Sequence, residues 1–170
     1  PPYSFWRDKN AAQIEEMLHT ENPAAQDTPL GLYMHIPFCR KRCKFCYFRV
    51  YTDRNSSDIQ TYLDALAKEV ETYSQLPRIS GRKLDFVYFG GGTPSYISVK
   101  HLKVLVERVK KVMPWDDVKE VAFECEPGTL SQSKVEAIRE VGVTRLSLGL
   151  ENMNDEILRE NGRAHVSKEI

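Results

Sequence analysis

Between residues 30 and 160, short apolar segments alternate with longer amphipathic ones, and this alternation constrains the fold more than any other feature. The longer segments repeat apolar residues at helical spacing, whereas the apolar segments are short enough to be strands. Chains that alternate strands with helices usually form a parallel sheet joined by right-handed crossovers. The sequence therefore predicts an α/β fold, whose sheet is either open or curved into a barrel. The predicted strands are 32–36, 84–89, 118–124 and 144–150.

Polar side chains that can cap a helix precede the predicted helices. Ser57 begins a capping-box pattern before the first helix, and Ser98 precedes the second. Thr129 is the predicted cap of the third helix, which Gly142 ends, and residues 155–160 begin the fourth. The apolar stripes predict one buried face for each of the first three helices. These stripes are Ile59, Tyr62, Leu63, Leu66, Val70 and Tyr73, then Leu102, Leu105, Val106 and Val109, then Val135, Ile138 and Val141.

Composition excludes several classes of protein. The 170 residues are 41% hydrophobic and 28% charged, which is typical of a folded globular domain and not of a disordered or membrane protein. Lys plus Arg and Asp plus Glu number 24 each, so no broad surface of one sign is predicted to bind nucleic acid or an anionic membrane. The longest apolar stretch, around 30–38, is far shorter than the roughly 20 residues that a transmembrane helix needs. No targeting segment is recognisable, which predicts a cytoplasmic location.

Three of the four cysteines, Cys39, Cys43 and Cys46, lie within eight residues of each other. A secreted disulfide framework spreads an even set of cysteines along its chain, so this cluster indicates reduced thiols and a metal. Thiolates are soft ligands that suit iron–sulfur clusters or zinc. Zinc would need a fourth ligand, either His35 or the distant Cys125. A cubane iron–sulfur cluster needs only the three thiolates and leaves one iron open, and unreactive thiols are the remaining alternative.

The unusual motifs all lie at the carboxyl ends of predicted strands. The cysteine cluster follows the first strand and the run 90–94, Gly-Gly-Gly-Thr-Pro, follows the second. Glu124 ends the third strand, and Glu151 follows the fourth. Ligands of parallel α/β sheets bind at this end of the strands. The sequence therefore predicts one composite site.

Two of these motifs suggest their own chemistry. Consecutive glycines let backbone approach a ligand closely, with N–H groups free to bind polar atoms, although a tight strand-end turn is the alternative. A carboxylate at the end of an apolar strand, as at Glu124, is costly to bury unless it is paired or bound, and the alternative is a charge that meets solvent. Cys125 should point to the opposite side of its strand as a buried structural thiol.

The spacing Cys-x3-Cys-x2-Cys is the signature of the radical S-adenosylmethionine (radical SAM) family, and residues 32–48 resemble one branch of it. This is the oxygen-independent coproporphyrinogen III oxidase-like (HemN/HemW-like) branch, which includes haem chaperones and class C radical SAM methylases. The resemblance covers residues 30–163, about four fifths of the chain. Further matching runs follow in the same order at 89–94, 123–128, 145–149 and 161–163.

The resemblance implies a partial (β/α) barrel of the radical SAM type, of which this chain supplies about four β/α units. Residues 29–170 would form the N-terminal portion of the core domain, after an N-terminal extension over 1–28. Within the extension Ile14, Met17 and Leu18 would suit a short helix, but a loosely docked segment is the favoured interpretation. The small number of units, and a first residue that is Pro1, predict a piece of a larger enzyme.

The resemblance also implies two cofactors, a 4Fe-4S cluster and S-adenosylmethionine. Cys39, Cys43 and Cys46 would hold the cluster, and its open iron would chelate the amino and carboxylate groups of S-adenosylmethionine. The glycine run would contact that amino group, and Arg163 would form bidentate hydrogen bonds with the carboxylate. Glu124 would accept hydrogen bonds from the ribose hydroxyls. The implied S-adenosylmethionine contacts are Tyr33, Phe45, Gly91, Gly92, Thr93, Glu124, Glu151 and Arg163.

Without the resemblance, some of these residues have simpler interpretations. Periodicity alone favours core packing for Tyr33 and Phe45, and Arg163 would be a surface arginine. Glu151 stands where the oxidases of this branch carry glutamine, so at this position the chain departs from the pattern of the family. The resemblance assigns these residues to cofactor binding and identifies no catalytic residue.

The implied activity is reductive cleavage of S-adenosylmethionine to methionine and a 5′-deoxyadenosyl radical. Methylation, cyclopropanation or other C–H or C–C chemistry would follow on a small molecule, either a tetrapyrrole or a secondary metabolite. The alternatives are a non-catalytic haem chaperone of the same branch, a coproporphyrinogen III dehydrogenase, and a zinc-stabilised interaction module. Phe48 stands where true coproporphyrinogen oxidases have a further cysteine, which argues against porphyrinogen decarboxylation.

Four cations surround the cysteines, at 40–42 and Lys44. A run of charge is usually a solvated face. The functional alternative is attraction for an acidic substrate or for a low-potential electron donor such as flavodoxin or ferredoxin.

Overall fold

The computed structural model describes residues 7–23 and 27–170, which form one four-stranded sheet with helices between the strands. All neighbouring strands are parallel, and their order in the sheet is their order in the chain. The predicted alternation of strands and helices is therefore confirmed. The strands are β1 (Gly31–Ile36), β2 (Phe86–Gly91), β3 (Glu120–Cys125) and β4 (Arg145–Leu148), and the helices are α1 (Asp8–His19), α2 (Ser56–Tyr73), α3 (Val99–Val112), α4 (Gln132–Glu140) and α5 (Asp155–Glu160).

Helices α2, α3 and α4 cover the same face of the sheet. Alternate residues of β1, β2 and β3 point into this face and are at most 1% exposed, and they form one core with the apolar stripes of the helices. Phe89 lies at its centre, with its ring 5.0 Å from that of Phe123 and 6.2 Å from that of Trp115. The buried strand residues are Met34, Ile36, Val87, Phe89, Val121 and Phe123.

The opposite face of the sheet carries the polar residues of the strands. Tyr33 pairs with Tyr88 in the β1–β2 register, and Tyr88 contacts Glu124 of β3 on the same face. This division follows from the two-residue period of a strand, which places neighbouring residues on opposite faces. The sheet therefore presents one face to the helical core and one to candidate ligands.

Two of the predicted helix caps are wrong by a few residues. Asn55, not Ser57, caps α2: its Oδ1 accepts from the backbone N–H groups of Ser57 and Asp58 at 2.8 and 3.0 Å. Ser131, not Thr129, caps α4, whereas Ser98 caps α3 as predicted. A pattern of capping residues recurs at neighbouring positions, and the sequence alone does not choose between them.

The predicted buried face of α4 is only partly correct. Ile138 is buried, but Val135 is 40% exposed, and Lys134 is buried in its place. The Lys134 ammonium donates to the backbone carbonyls of Ser95, at 3.1 Å, and Ile97. A long charged side chain can be buried in this way when carbonyl oxygens accept hydrogen bonds from its ammonium group.

The N-terminal segment contains a helix, α1, although a loosely docked segment was the favoured interpretation. Ile14 and Leu18 are partly buried, whereas Met17 is 45% exposed. The Leu18 carbonyl accepts from the Arg78 backbone N–H at 3.2 Å, which ties α1 to the turn after α2. Residues 1–6 and 24–26 of the predicted extension lie outside the described residues, and the boundary at residue 28 stays a prediction.

No helix in the described part of the chain is both long enough and apolar enough to cross a membrane.

Candidate functional site

Two adjoining cavities lie at the carboxyl ends of the strands, where the sequence predicts a composite site. The cysteine cavity, lined by Cys39, Cys43 and Cys46, has a volume of about 170 Å³. The second, which we name the strand-end cavity, is lined by Glu124 of β3 and by Ser147 and other residues of the β4 end, and has a volume of about 280 Å³. Five residues line both cavities, which makes them one continuous site: Gly92, Thr93, Glu126, Glu151 and Arg163.

The cysteine loop is held in place by hydrogen bonds to distant parts of the chain. The Cys39 N–H donates to the Tyr51 carbonyl at 3.0 Å, which closes the base of the loop. The Arg40 guanidinium donates to the carbonyls of Gly128, after β3, and Ala164, in the C-terminal segment. Arg40 is therefore a structural tether of the loop, and not a free cation beside it.

The three thiols are free, and two of them have hydrogen-bond donors that suit a thiolate. Burial raises the pKa of the Cys39 thiol, while the Thr93 hydroxyl, which donates to its sulfur at 3.3 Å, acts in the opposite direction. The Arg163 guanidinium donates to the Cys43 sulfur, also at 3.3 Å. Donors of this kind stabilise sulfur that carries negative charge, as it does when it binds metal.

The donor set fits an iron–sulfur cluster better than zinc. Within residues 7–23 and 27–170, no three His, Cys, Asp or Glu side chains come close enough to hold a single metal ion. Neither of the predicted fourth ligands lines the cysteine cavity: His35 hydrogen-bonds to the Tyr33 hydroxyl at 3.0 Å, and Cys125, which is 5% exposed, lines only the strand-end cavity. A cubane cluster carries its thiolates on separate irons, so three cysteines in one loop can hold it.

The glycine run lies beside the cysteines, but its N–H groups are not free as the sequence suggested. The N–H of Gly91 donates to Glu124 Oε2 at 3.1 Å, that of Gly92 to the Ile36 carbonyl at 2.8 Å, and that of Thr93 to the Phe38 carbonyl at 2.9 Å. An amino group of a ligand donates hydrogen bonds, so the run would receive it through carbonyl oxygens.

Two of the glycines are required by the geometry. Gly91 has φ of 118°, a conformation that residues with a side chain rarely adopt. A Cβ at Gly92 would lie 2.9 Å from the Cys39 sulfur and 3.0 Å from the Phe38 carbonyl oxygen. The interpretation of the run as an ordinary tight turn does not account for this close approach to the cysteine loop.

We expect Gly92→Ala to lower cluster occupancy while the protein stays folded. The added methyl would displace either the Cys39 sulfur or the Phe38 backbone, and both belong to the cysteine loop. The measurement is iron per chain after anaerobic reconstitution, with circular dichroism to report the fold. Gly81→Ala is the matched control, because a Cβ there meets no atom within 4 Å although its φ of 76° adds some strain. Equal iron in Gly92→Ala and wild type would contradict this expectation.

Glu124 is paired inside the protein, and the interpretation as a solvated strand-end charge is wrong. Its Oε1 accepts from the Tyr88 hydroxyl at 2.7 Å, and its Oε2 accepts from the Gly91 N–H. The hydrogen bond to Glu124 raises the pKa of Tyr88. The rings of Tyr33 and Tyr88 stack with their centroids 5.9 Å apart. The pKa of Tyr33 is raised by partial burial and, to a smaller extent, by the negative charge of Glu124.

Core packing is excluded for both aromatic candidates. Tyr33 is 54% exposed and lies on the ligand-facing side of the sheet, but it lines neither cavity and joins the site only through Tyr88 and Glu124. Phe45 is 47% exposed and lines the cysteine cavity. The strand period places Tyr33 correctly once the covered face is known, whereas Phe45 lies in a loop that periodicity cannot describe.

Arg163 is not a surface arginine. Besides the Cys43 sulfur, its guanidinium donates to the Gly149 carbonyl, and its Nε is buried without a hydrogen-bond partner in the described chain. Glu151, which lines both cavities, has φ of 65°, the one positive value among the described residues other than glycine. Unusual backbone of this kind is often found at ligand sites.

Sequence reasoning did not single out two further residues of the site. Glu126 lies within the matching run 123–128, where a second carboxylate so close to an apolar strand was a usable signal. His165 forms a hydrogen bond with it through Nδ1 at 2.7 Å, and no local pattern indicated this contact because the two residues lie 39 positions apart.

The fold and the site agree with one class of protein, the radical SAM proteins. A profile of the Radical SAM superfamily matches residues 33–170, and the chain belongs to this superfamily. The resemblance inferred from the motifs is thus confirmed at the level of the family.

Individual relatives narrow the comparison to one branch. The chain is similar to proteins named heme chaperone HemW from Haemophilus influenzae, with 32% identity over 83% of this chain and 37% of the relative, and from Bacillus subtilis, with 36% identity over 81% and 36%. It is also similar to the solved structure of coproporphyrinogen III oxidase (HemN) from Escherichia coli, a radical SAM enzyme, with a TM-score of 0.77 and 27% identity over 98% of this chain and 36% of that one. The chain spans little more than a third of the length of these relatives.

Proposed function

We propose that this chain holds a 4Fe-4S cluster through Cys39, Cys43 and Cys46 and binds S-adenosylmethionine in the strand-end cavity beside it. The observation that carries the proposal is the junction of the two cavities, where Gly92, Thr93 and Arg163 line both. When bound, a cluster of this kind supplies the electron that cleaves S-adenosylmethionine to methionine and a 5′-deoxyadenosyl radical. Membership of the superfamily supports the same cofactors.

The residues of the chain then have distinct tasks. Arg163 and Thr93 each donate a hydrogen bond to a cysteine sulfur, and such donors can stabilise the negative charge of a sulfur that binds metal. Arg40 fixes the loop against the end of β3 and the C-terminal segment, which keeps the sulfurs in place. The carbonyls of the glycine run and the guanidinium of Arg163 offer complementary partners for an amino group and a carboxylate.

The test is anaerobic reconstitution with iron and sulfide, followed by reduction in the presence of S-adenosylmethionine. We expect about four irons per chain, as a cubane requires, and 5′-deoxyadenosine detected by mass spectrometry. Cys125→Ala is the matched control for iron uptake alone, because Cys125 lies outside the cysteine cavity although it lines the strand-end cavity. Protein that takes up no iron, or that takes up zinc in preference, would refute the proposal.

A haem chaperone is the second candidate, favoured by the two relatives named HemW. On this alternative the protein would bind haem tightly at one per chain and would form little 5′-deoxyadenosine. A haem titration followed by absorbance distinguishes it from the enzyme. Methylation and cyclopropanation, which the resemblance allowed, receive no support from these relatives. Porphyrinogen oxidation has the HemN structure in its favour and Phe48 against it.

The electron would come from a low-potential donor with an acidic surface, such as flavodoxin or ferredoxin. Lys41 and Lys44 are exposed beside the cysteine cavity, whereas Arg40 is tethered and Arg42 donates to the Cys46 carbonyl at 3.3 Å. We expect the rate of reduction by such a donor to fall as salt is added, because salt screens attraction between exposed charges. A rate that is independent of salt would exclude this docking. Because the three cysteines must stay reduced to hold a cluster, the proposal also favours a reducing compartment such as the cytoplasm.

A further inference from the structure

Glu126 is a buried carboxylate with one oxygen that has no partner. Its side chain is 10% exposed, and its Oε2 forms no hydrogen bond with any described residue. Its Oε1, in contrast, contacts His165 Nδ1 at 2.7 Å and accepts from the Gly128 N–H at 3.3 Å. A buried carboxylate oxygen without a donor is strongly unfavourable, so a structure that keeps one usually has a ligand for it.

His165 holds Glu126 from the side opposite this oxygen. Its Nδ1 lies 2.7 Å from Glu126 Oε1, and its Nε2 lies 3.3 Å from the Leu150 carbonyl oxygen. Both ring nitrogens therefore contact the protein, and these contacts fix Oε1 while leaving Oε2 without a partner among the described residues.

The position of Glu126 limits what its free oxygen can meet. Glu126 lines both the cysteine cavity and the strand-end cavity, at their junction. Arg163, which has a buried and unpartnered Nε, lines the same junction. Glu124, another carboxylate of the strand-end cavity, already accepts a hydrogen bond at each oxygen. The junction thus contains one acceptor, Glu126 Oε2, and one donor, Arg163 Nε, that have no hydrogen-bond partner among the described residues.

We propose that Glu126 accepts a hydrogen bond from the α-amino group of the S-adenosylmethionine bound here, beside Arg163, which the proposed function already assigns to the α-carboxylate. The two residues together form a clamp for an α-amino acid, and His165 holds the carboxylate of Glu126 in position. The clamp rests on the proposed function, since it assigns the methionine end of that ligand. It also gives a partner to the one oxygen of Glu126 that His165 and Gly128 leave without a hydrogen bond.

The test measures binding, so that it does not depend on turnover. The ligands are S-adenosylhomocysteine and its analogue without the α-amino group, titrated calorimetrically into the anaerobically reconstituted protein. We expect Glu126→Gln to weaken binding of S-adenosylhomocysteine about 10- to 100-fold, the effect of a lost hydrogen bond to a charged group. Binding of the desamino analogue should change by less than about twofold, because it has no group to place against Glu126.

Matched variants separate this outcome from damage to the site. Glu136→Gln removes an exposed carboxylate from α4 and should leave both affinities unchanged. If Glu126→Gln fails to retain iron, Glu126→Asp replaces it, since the shorter side chain keeps the charge but moves the carboxylate away from the ligand. This variant should also weaken binding of S-adenosylhomocysteine more than binding of the desamino analogue. Equal weakening of both ligands, or no weakening, would overturn the clamp. Wild-type protein that takes up no iron would instead refute the proposed function.

Discussion

Replacing Cys43 with serine is expected to reduce bound iron to background. Serine offers a hard, weakly acidic hydroxyl in place of a soft thiolate, and iron–sulfur clusters require thiolate sulfur. Cys43 is held in the cysteine cavity by the Arg163 guanidinium, 3.3 Å from its sulfur. No replacement ligand is at hand, because His35 is bonded to Tyr33 and does not line this cavity. Iron and sulfide per chain, with the visible absorbance of the reconstituted protein, report the loss.

The fourth cysteine provides the matched control for this experiment. Cys125 is 5% exposed, and burial raises its pKa to about 11, as expected for an unreactive structural thiol. We expect Cys125→Ala to retain iron at the level of the wild type and to lose only some stability through the small cavity it leaves. Iron retained in Cys43→Ser, or lost in Cys125→Ala, would show that the cysteines have been assigned wrongly.

Replacing Phe89 with alanine is expected to destabilise the fold by about 3–5 kcal/mol, the usual cost of emptying a core site of this size. Phe89 is fully buried on β2, where its ring contacts those of Phe123 and Trp115. These contacts join β2 to β3 and to the loop after α3, and β2 ends within the glycine run. Urea unfolding followed by circular dichroism measures the loss, which should appear as a lower midpoint at an unchanged slope.

Tyr47→Ala is the control for this stability measurement. Tyr47 is also aromatic but is fully exposed, so its removal should change the free energy of unfolding by no more than about 0.5 kcal/mol. A loss for Phe89→Ala of about 1 kcal/mol or less would mean that Phe89 is not central to the core.

Much of the fold followed from local patterns. Alternating apolar and amphipathic segments predicted the parallel sheet, and the fourth helix, α5 (Asp155–Glu160), begins where the sequence predicted. Strand limits were displaced by up to two residues: β2 extends to Gly91 because the glycines still pair with His35 and Ile36 of β1. Helix caps were misplaced for a similar reason, since Asn55 and Ser57 both suit a cap and only the backbone path selects one.

The candidate site was predicted in outline and corrected in detail. The rule that ligands bind at the carboxyl ends of parallel strands brought the cysteine loop, the glycine run, Glu124 and Glu151 together, as the cavities do. The rule could not predict that Glu124 would accept a hydrogen bond from the N–H of Gly91. That contact depends on the register between β2 and β3, which local sequence does not encode.

The sequence by itself determined the class of fold, the edge of the sheet that carries the site and the three thiols, because these follow from periodicity and spacing within short segments. Only the tertiary structure decided which donors meet which acceptors. Arg163 reaches the sulfur of Cys43 across 120 positions, and His165 reaches Glu126 across 39. Such contacts arise when separate loops converge at the strand ends, so their partners depend on the packing of the whole chain and on no pattern within any one segment.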